Sequence, residues 1–111
     1  MPTIGFTVPE LESKLRRKEV RQTFRPEAYI EREKLRESFA GGLPVAIYLR
    51  DERIGKVKID SIERITAQDL GEDDVRIEGF ANYEQMVRTM KRKGIYPSTD
   101  RKMFRIRFHW V

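Results

Sequence analysis

The last ten residues constrain the fold more tightly than any other part of the chain. Phe104, Ile106, Phe108 and Trp110 alternate with Met103, Arg105, Arg107 and His109. A period of two sends successive side chains to opposite sides of a strand. One side is aromatic and aliphatic and has to be covered. The other carries Arg105, Arg107 and His109 and reads as a basic, solvated stripe. A chain ending this way needs a sheet with one covered face, and the preceding residues must supply both the other strands and the cover.

Four further runs fit that requirement. Ile4, Phe6 and Val8 alternate with Thr3, Gly5 and Thr7. Residues 20–25 alternate Val20, Gln22 and Phe24 against Arg21, Thr23 and Arg25, and Pro26 stops them. Val45, Ile47 and Leu49 form a third strand, and a turn at Asp51-Glu52 returns the chain along Gly55 to Ile65. In that last run the apolar phase slips between Ile59 and Ile62, which predicts a bulge near Asp60-Ser61. Helical patterns lie between the strands. Pro9 opens the first, with Leu11 and Leu15 on one face and Arg16-Arg17-Lys18 in its last turn. A charge-rich helix is predicted over residues 27–39, ended by Gly41-Gly42. A short helix after Thr66 runs to Glu78-Gly79. Another starts at Asn82, where Gln85 completes a capping box, and carries Tyr83, Met86, Val87 and Met90. The order β-α-β-α-β-β-α-α-β implies an α+β fold: a small, mixed, barrel-like sheet with flanking helices.

With 111 residues, the chain has room for one domain, residues 1–111, and one core. Charged residues make up 37% of it, which points to a surface laced with ion pairs of the kind seen in proteins from hot environments. There is no cysteine, so disulfides, thiolate nucleophiles and cysteine-bound zinc are excluded. A single histidine, His109, excludes a multi-histidine metal site. Gly41-Gly42 lacks the Lys-Ser/Thr of a phosphate-binding loop. No cofactor and no metal is expected. The start lacks the basic and apolar regions of a signal peptide, and no apolar run approaches the roughly 20 residues of a membrane span, so a cytoplasmic protein without a membrane partner is expected.

Lysine and arginine total 23 against 18 acids, a formal net charge of +5. That balance favours a polyanionic partner only if the charge is concentrated. Two clusters stand out. Arg16, Arg17, Lys18, Arg21 and Arg25 form one, and the parity of its strand puts Arg21, Thr23 and Arg25 on one face. Two guanidiniums flanking a hydroxyl suit an anion better than a core. The second comprises Lys91, Arg92 and Lys93, with Arg101, Lys102, Arg105, Arg107 and His109 on the closing strand. RNA phosphates could track along such stripes with little sequence preference and strong salt dependence. Tyr29, Tyr48 and Tyr96 are the aromatics least committed to the core and open to stacking on a base.

Taken in order, these segments resemble an ASCH domain, a small PUA-like barrel. Such domains have an early helix, then a segment like G-x-K-x-x-T-x-R, and a long strand ending in a V-x-x-I-like run. A short helix with a D-A-x-x-E-G-F-like signature and an aromatic-rich closing strand follow. This chain has Arg21-Gln22-Thr23-Phe24-Arg25, then Gly55-Lys56-Val57 through Ser61-Ile62-Glu63-Arg64-Ile65. Asp74-Val75-Arg76-Ile77-Glu78-Gly79-Phe80 and Phe104-Arg105-Ile106-Arg107-Phe108 complete the set. The resemblance implies a cleft between strands and helices and a role in binding RNA or a nucleotide-like ligand. The nucleic-acid contacts would be Arg16, Arg17, Lys18, Arg21, Arg25, Arg105 and Arg107.

Some small members of that family hydrolyse acetylated cytidine with a lysine, a threonine and a glutamate. Thr23 matches the threonine and Glu78 the glutamate. The lysine position, three residues before Thr23, holds Val20, and the usual glycine is missing. Lys18 fills the role only through a shifted alignment, and Arg21 cannot act as a base because a guanidinium does not deprotonate. The candidate catalytic set of an amidohydrolase is therefore Thr23, Glu78 and Lys18. A third reading is an interaction module whose basic faces meet an acidic protein.

Overall fold

A computed structural model describes all 111 residues. Five strands form one curled, half-barrel sheet: β1 (Thr3–Phe6), β2 (Gln22–Pro26), β3 (Val45–Leu49), β4 (Glu52–Ile65) and β5 (Met103–Trp110). Five helices accompany them: α1 (Glu12–Arg16), α2 (Glu27–Arg32), α3 (Leu35–Gly41), α4 (Glu72–Glu78) and α5 (Tyr83–Arg92). The strand order is β1-β3-β4-β5-β2. Only β1 and β3 are parallel; the other neighbours are antiparallel. One cluster of 23 buried apolar side chains draws on every strand and every helix.

The order of the strands sets where a site can form. After β1 the chain crosses by a 3-10 turn at Pro9–Leu11 and α1, and places β2 at the opposite edge of the sheet, beside β5. It then returns through α2 and α3 to lay β3 beside β1. Curling brings the two edges, β1 and β2, to face each other. No backbone ladder joins them, and side chains bridge the seam instead. The Arg25 guanidinium donates to the Gly5 carbonyl at 2.6 Å. The Tyr29 hydroxyl accepts from the Gly5 amide at 3.0 Å and donates to the Thr3 carbonyl at 3.4 Å. Glu33 accepts from the Thr3 amide at 3.2 Å. An edge strand left with free amides and carbonyls invites foreign pairing, and here α2 and β2 occupy those groups.

Most predicted elements are present. The bulge lies where the hydrophobic phase slipped, between Ile59 and Ser61. Pro26 is the last residue of β2, at an edge where its missing N–H breaks no ladder, and it opens α2. Asn82 caps α5 by accepting from the Gln85 amide at 2.8 Å, and Gln85 returns a bond to the Ala81 amide. The single helix expected over 27–39 is two, because Lys34 adopts a left-handed conformation, φ 55° and ψ 42°. That residue turns the chain so that Ile30 of α2 and Leu35 of α3 both reach the core.

β5 departs most from expectation. It lies inside the sheet, between β4 and β2. Both of its faces are covered over much of its length: Met103 is fully buried and Arg105 is only 8% exposed. The strand is therefore not a solvated basic stripe over a core, because α4 packs a carboxylate against its polar face.

Candidate functional site

A cavity of about 210 Å³ opens at the seam, between the end of β1 and β2, with the end of α4 and the last turns of α5 as its other walls. Phe6, Val8, Leu11, Phe80, Met90 and Ile95 supply apolar surface. Thr23, Arg25 and Glu78 supply polar groups from the sheet and α4, and Thr7, Thr89 and Lys93 line it from the opposite side. Thr23 and Glu78 are almost wholly buried, 1% and 4% exposed, whereas Lys93 is exposed and lies toward the mouth.

Each polar group is held by the strand or helix it comes from. Thr23 accepts a short hydrogen bond from Arg25, two residues on along the same face of β2. Arg25 also donates to the Phe24 carbonyl at 2.8 Å, and its guanidinium sits 5.2 Å from the ring centres of both Phe6 and Tyr29. With its bond to Gly5, it donates three hydrogen bonds within the protein. Lys93 donates to the Thr7 hydroxyl at 3.0 Å, tying the end of α5 to the loop after β1.

Glu78 is the unusual group. It ends α4, and its carboxylate accepts from the Gln22 amide at 3.3 Å. It makes no ion pair with Arg21 or Arg25. Burial pushes its pKa up to about 8, and the negative charge of Asp74 adds to the rise; the Gln22 bond and the charges of Arg25 and Arg105 only partly offset them. At neutral pH it is mainly a carboxylic acid, with one O–H donor and an acceptor oxygen, in place of a purely accepting anion.

Behind Glu78 lies a buried ionic network. Arg105 grips Asp74 with two bonds, at 2.7 and 3.0 Å, reaches Glu63 at 2.5 Å and donates to the Asp69 carbonyl at 2.9 Å. Gln22 links Asp74 to Glu78, with its amide nitrogen 3.0 Å from Asp74, and accepts from Arg107 at 3.2 Å. Burial works against the Asp74 charge, but Arg105, Gln22 and the Gly71 amide hold its pKa below the usual carboxylate range. A bidentate arginine–carboxylate pair with its remaining groups satisfied is the arrangement that makes a buried charge tolerable.

The structure brings together Thr23, Arg25 and Glu78 and leaves the other sequence candidates elsewhere. Lys18 does not line the cavity; its Nζ lies 5.8 Å over the Trp110 ring, on the side of Gly55. Lys18 therefore does not join Thr23 and Glu78 in this cavity. Arg105 is not a surface contact for nucleic acid, since its guanidinium is consumed by Asp74, Glu63 and Asp69. Arg107 is half-buried and leans on Gln22 and Asp74. Arg16 is paired with Glu52 and Glu12, and Arg17 with Glu19, all at the surface. Arg21 is exposed beside the site, its amide bonded to the Ile77 carbonyl, and does not line the cavity. Sequence reasoning missed Gln22, Thr89 and Lys93 as site residues. Gln22 shares the phase of Phe24 and reads as sheet interior, while Lys93 hides in a run of three cations at a helix end.

The fold has solved counterparts. An ASCH domain from Lactobacillus crispatus JV V101 superposes with a TM-score of 0.56 at 16% identity, over 97% of this chain and 77% of that one. Protein EF3133 from Enterococcus faecalis V583, of the DUF984 family, superposes with a TM-score of 0.62, also at 16% identity, over 100% of this chain and 77% of the other. The chain has an ASCH-domain fold. No family model and no curated protein matches its sequence.

Proposed function

We propose that the protein binds RNA or a nucleotide, with a base entering the cavity between β1, β2 and the end of α4. One observation carries the reading: a small cavity that is apolar on most of its surface but holds the buried carboxyl of Glu78, whose pKa burial raises, together with the Thr23 hydroxyl. At about 210 Å³ it is smaller than the roughly 300–1,000 Å³ of pockets for drug-sized ligands, which suits a single ring. A protonated carboxyl presents a donor and an acceptor side by side, the complement of the ring-nitrogen and amino or carbonyl edge of a pyrimidine. Phe6 and Phe80 give the ring apolar contact, the exposed Lys93 on the cavity wall is available to a phosphate, and Arg25 positions Thr23. Binding of cytidine and of a single-stranded RNA hexamer tests this. Glu78→Gln keeps a donor and an acceptor and is expected to retain affinity, whereas Glu78→Ala loses at least tenfold, about 1.4 kcal/mol. Equal affinity of wild type and Glu78→Ala for both ligands would refute the reading.

A hydrolase of acetylated cytidine is the second reading, favoured by Thr23 and Glu78 sharing one cavity. In it, Thr23 would attack, and the lysine at hand would be Lys93 in place of Lys18. A carboxyl that is mostly protonated at neutral pH is a weak base there, which is why binding is the preferred reading. Release of cytidine from acetylcytidine, abolished in Thr23→Val, would reverse the order of the two.

A further inference from the structure

A second cleft, of about 550 Å³, lies between the turn that follows β4 and the loop that precedes β5. Its polar side chains are Arg64, Thr66 and Gln68 on one side and Ser98, Thr99 and Arg101 on the other, with Ile65, Ala67 and Pro97 completing the lining. No carboxylate lines it. This matters in a chain where eight of the fifteen arginines form an ion pair with an acid. Arg64 and Arg101 are in none of those pairs. Arg64 has no side-chain partner, and Arg101 only donates to the backbone carbonyl of Gly94. Two exposed guanidiniums that no carboxylate pairs, flanked by hydroxyls and an amide, are chemistry suited to phosphodiester oxygens, although the Thr66 hydroxyl is already bonded to Asp69.

The position of this cleft relative to the first cavity gives it meaning. A single stretch, residues 93–101, borders both. Lys93 and Ile95 line the first cavity, while Ser98, Thr99 and Arg101 line the second. Arg101 reaches back to Gly94, the residue between Lys93 and Ile95, so its guanidinium stands at the junction of the two sites. Gly94 has φ 70°, and a side chain there would point toward the Arg101 guanidinium, 3.5 Å away. The path from cavity to cleft thus runs over a backbone kept bare, past Lys93 and onto Arg101 and Arg64.

We propose that the second cleft holds the sugar-phosphate backbone of the nucleotide next to the one whose base enters the first cavity, so that the ligand is single-stranded RNA and not a free nucleotide. This rests on the base-binding reading above and extends it to the size class of the ligand. A chain held at two adjoining points gains affinity over a mononucleoside without a deeper pocket. The gain is electrostatic, so it carries a salt dependence that the base cavity alone lacks.

The test compares a fluorescently labelled hexacytidylate with cytidine, on the wild type, on Arg64→Ala, and on the double variant Arg64→Ala/Arg101→Ala. For the double variant, affinity for the hexamer is expected to fall at least tenfold. Its logarithmic salt slope should flatten by about 1.4, two phosphate contacts at roughly 0.7 each. Affinity for cytidine should not change. Arg64→Ala makes half of the change in slope and touches no internal contact, so it guards against a fold disturbed at Gly94. Hexamer affinity and slope unchanged in both variants, with cytidine still bound, would overturn the second site and leave the base cavity standing. A parallel loss of cytidine and hexamer binding in Arg64→Ala would also overturn it, because the cleft would then act only through the cavity. If the wild type binds neither ligand, the base-binding reading falls and the second site falls with it.

Discussion

Glu78 and Asp74 are four residues apart on one short helix, and their surroundings move them in opposite directions. Burial raises Glu78 to about 8 from an ordinary 4.5, so the folded protein holds a proton that the unfolded chain releases in that window. The stability this provides is complete below pH 4.5 and is lost as pH rises toward 8. Asp74 is depressed from 3.8, so its contribution is present above that pH and is lost as pH falls through its folded value. Stability is therefore expected to decline from pH 5 to pH 8, an interval in which ordinary carboxylates no longer titrate. Glu78→Gln should remove that decline, leaving a flat profile, as denaturant midpoints across the interval would reveal. A wild-type profile as flat as the variant's would show that Glu78 is ionised and solvated. Thr23 and Glu78 were legible in the sequence through the Arg21–Arg25 and Asp74–Phe80 segments. The protonation state of Glu78 was not, because it depends on what covers the carboxyl. The partners of Arg105 were hidden for the same reason: parity says which side of a strand a residue faces, but not that a second element waits there with an acid.

Elements were read most reliably where the pattern was local. The β4 bulge, the α5 cap and the glycine after α4 each follow from adjacent residues. The break at Lys34 was not legible, because a lysine in a left-handed conformation carries no compositional sign. Gly79 is the junction on which the site depends. It has φ 101°, a value that costs an L residue about 1–3 kcal/mol. A Cβ there would also meet Lys14 Cδ at 2.9 Å and Val20 Cγ2 at 3.6 Å. The turn it makes ends α4 with Glu78 aimed at Gln22 and sends Phe80 into the cavity wall. Gly79→Ala is expected to lower stability by about 1–3 kcal/mol in denaturant titration and to weaken cytidine binding further than Lys14→Ala does. A variant as stable as the wild type would mean that the backbone relaxes there and that the Glu-Gly-Phe sequence is not needed for its geometry.

At the scale of the whole molecule, the α+β half-barrel was legible in outline, since alternating strands and a bulged long strand leave few alternatives. What the strands could not announce was how the half-barrel closes. Its two edges belong to strands adjacent in sequence but farthest apart in the sheet, and the side chains of Arg25, Tyr29 and Glu33 join them. The cavity sits on that seam, with one wall from β1 and the loop after it and another from β2, so breathing of the seam is also opening of the cavity. Tyr29→Phe keeps the ring under Arg25 and Arg32 but removes the hydroxyl that serves the Gly5 amide and the Thr3 carbonyl. The cost to global stability should be modest, about 1 kcal/mol for hydrogen bonds at a partly wet site. The local effect should be larger. The Gly5 amide, which has no strand partner on that side, is expected to exchange with solvent at least tenfold faster, while amides in the β4–β5 ladder keep their protection. Bound cytidine should restore the slow exchange at Gly5 if it holds the two walls together. Uniformly faster exchange across β4 and β5 would instead mean that the seam and the core open as one unit, with no separate motion at the site.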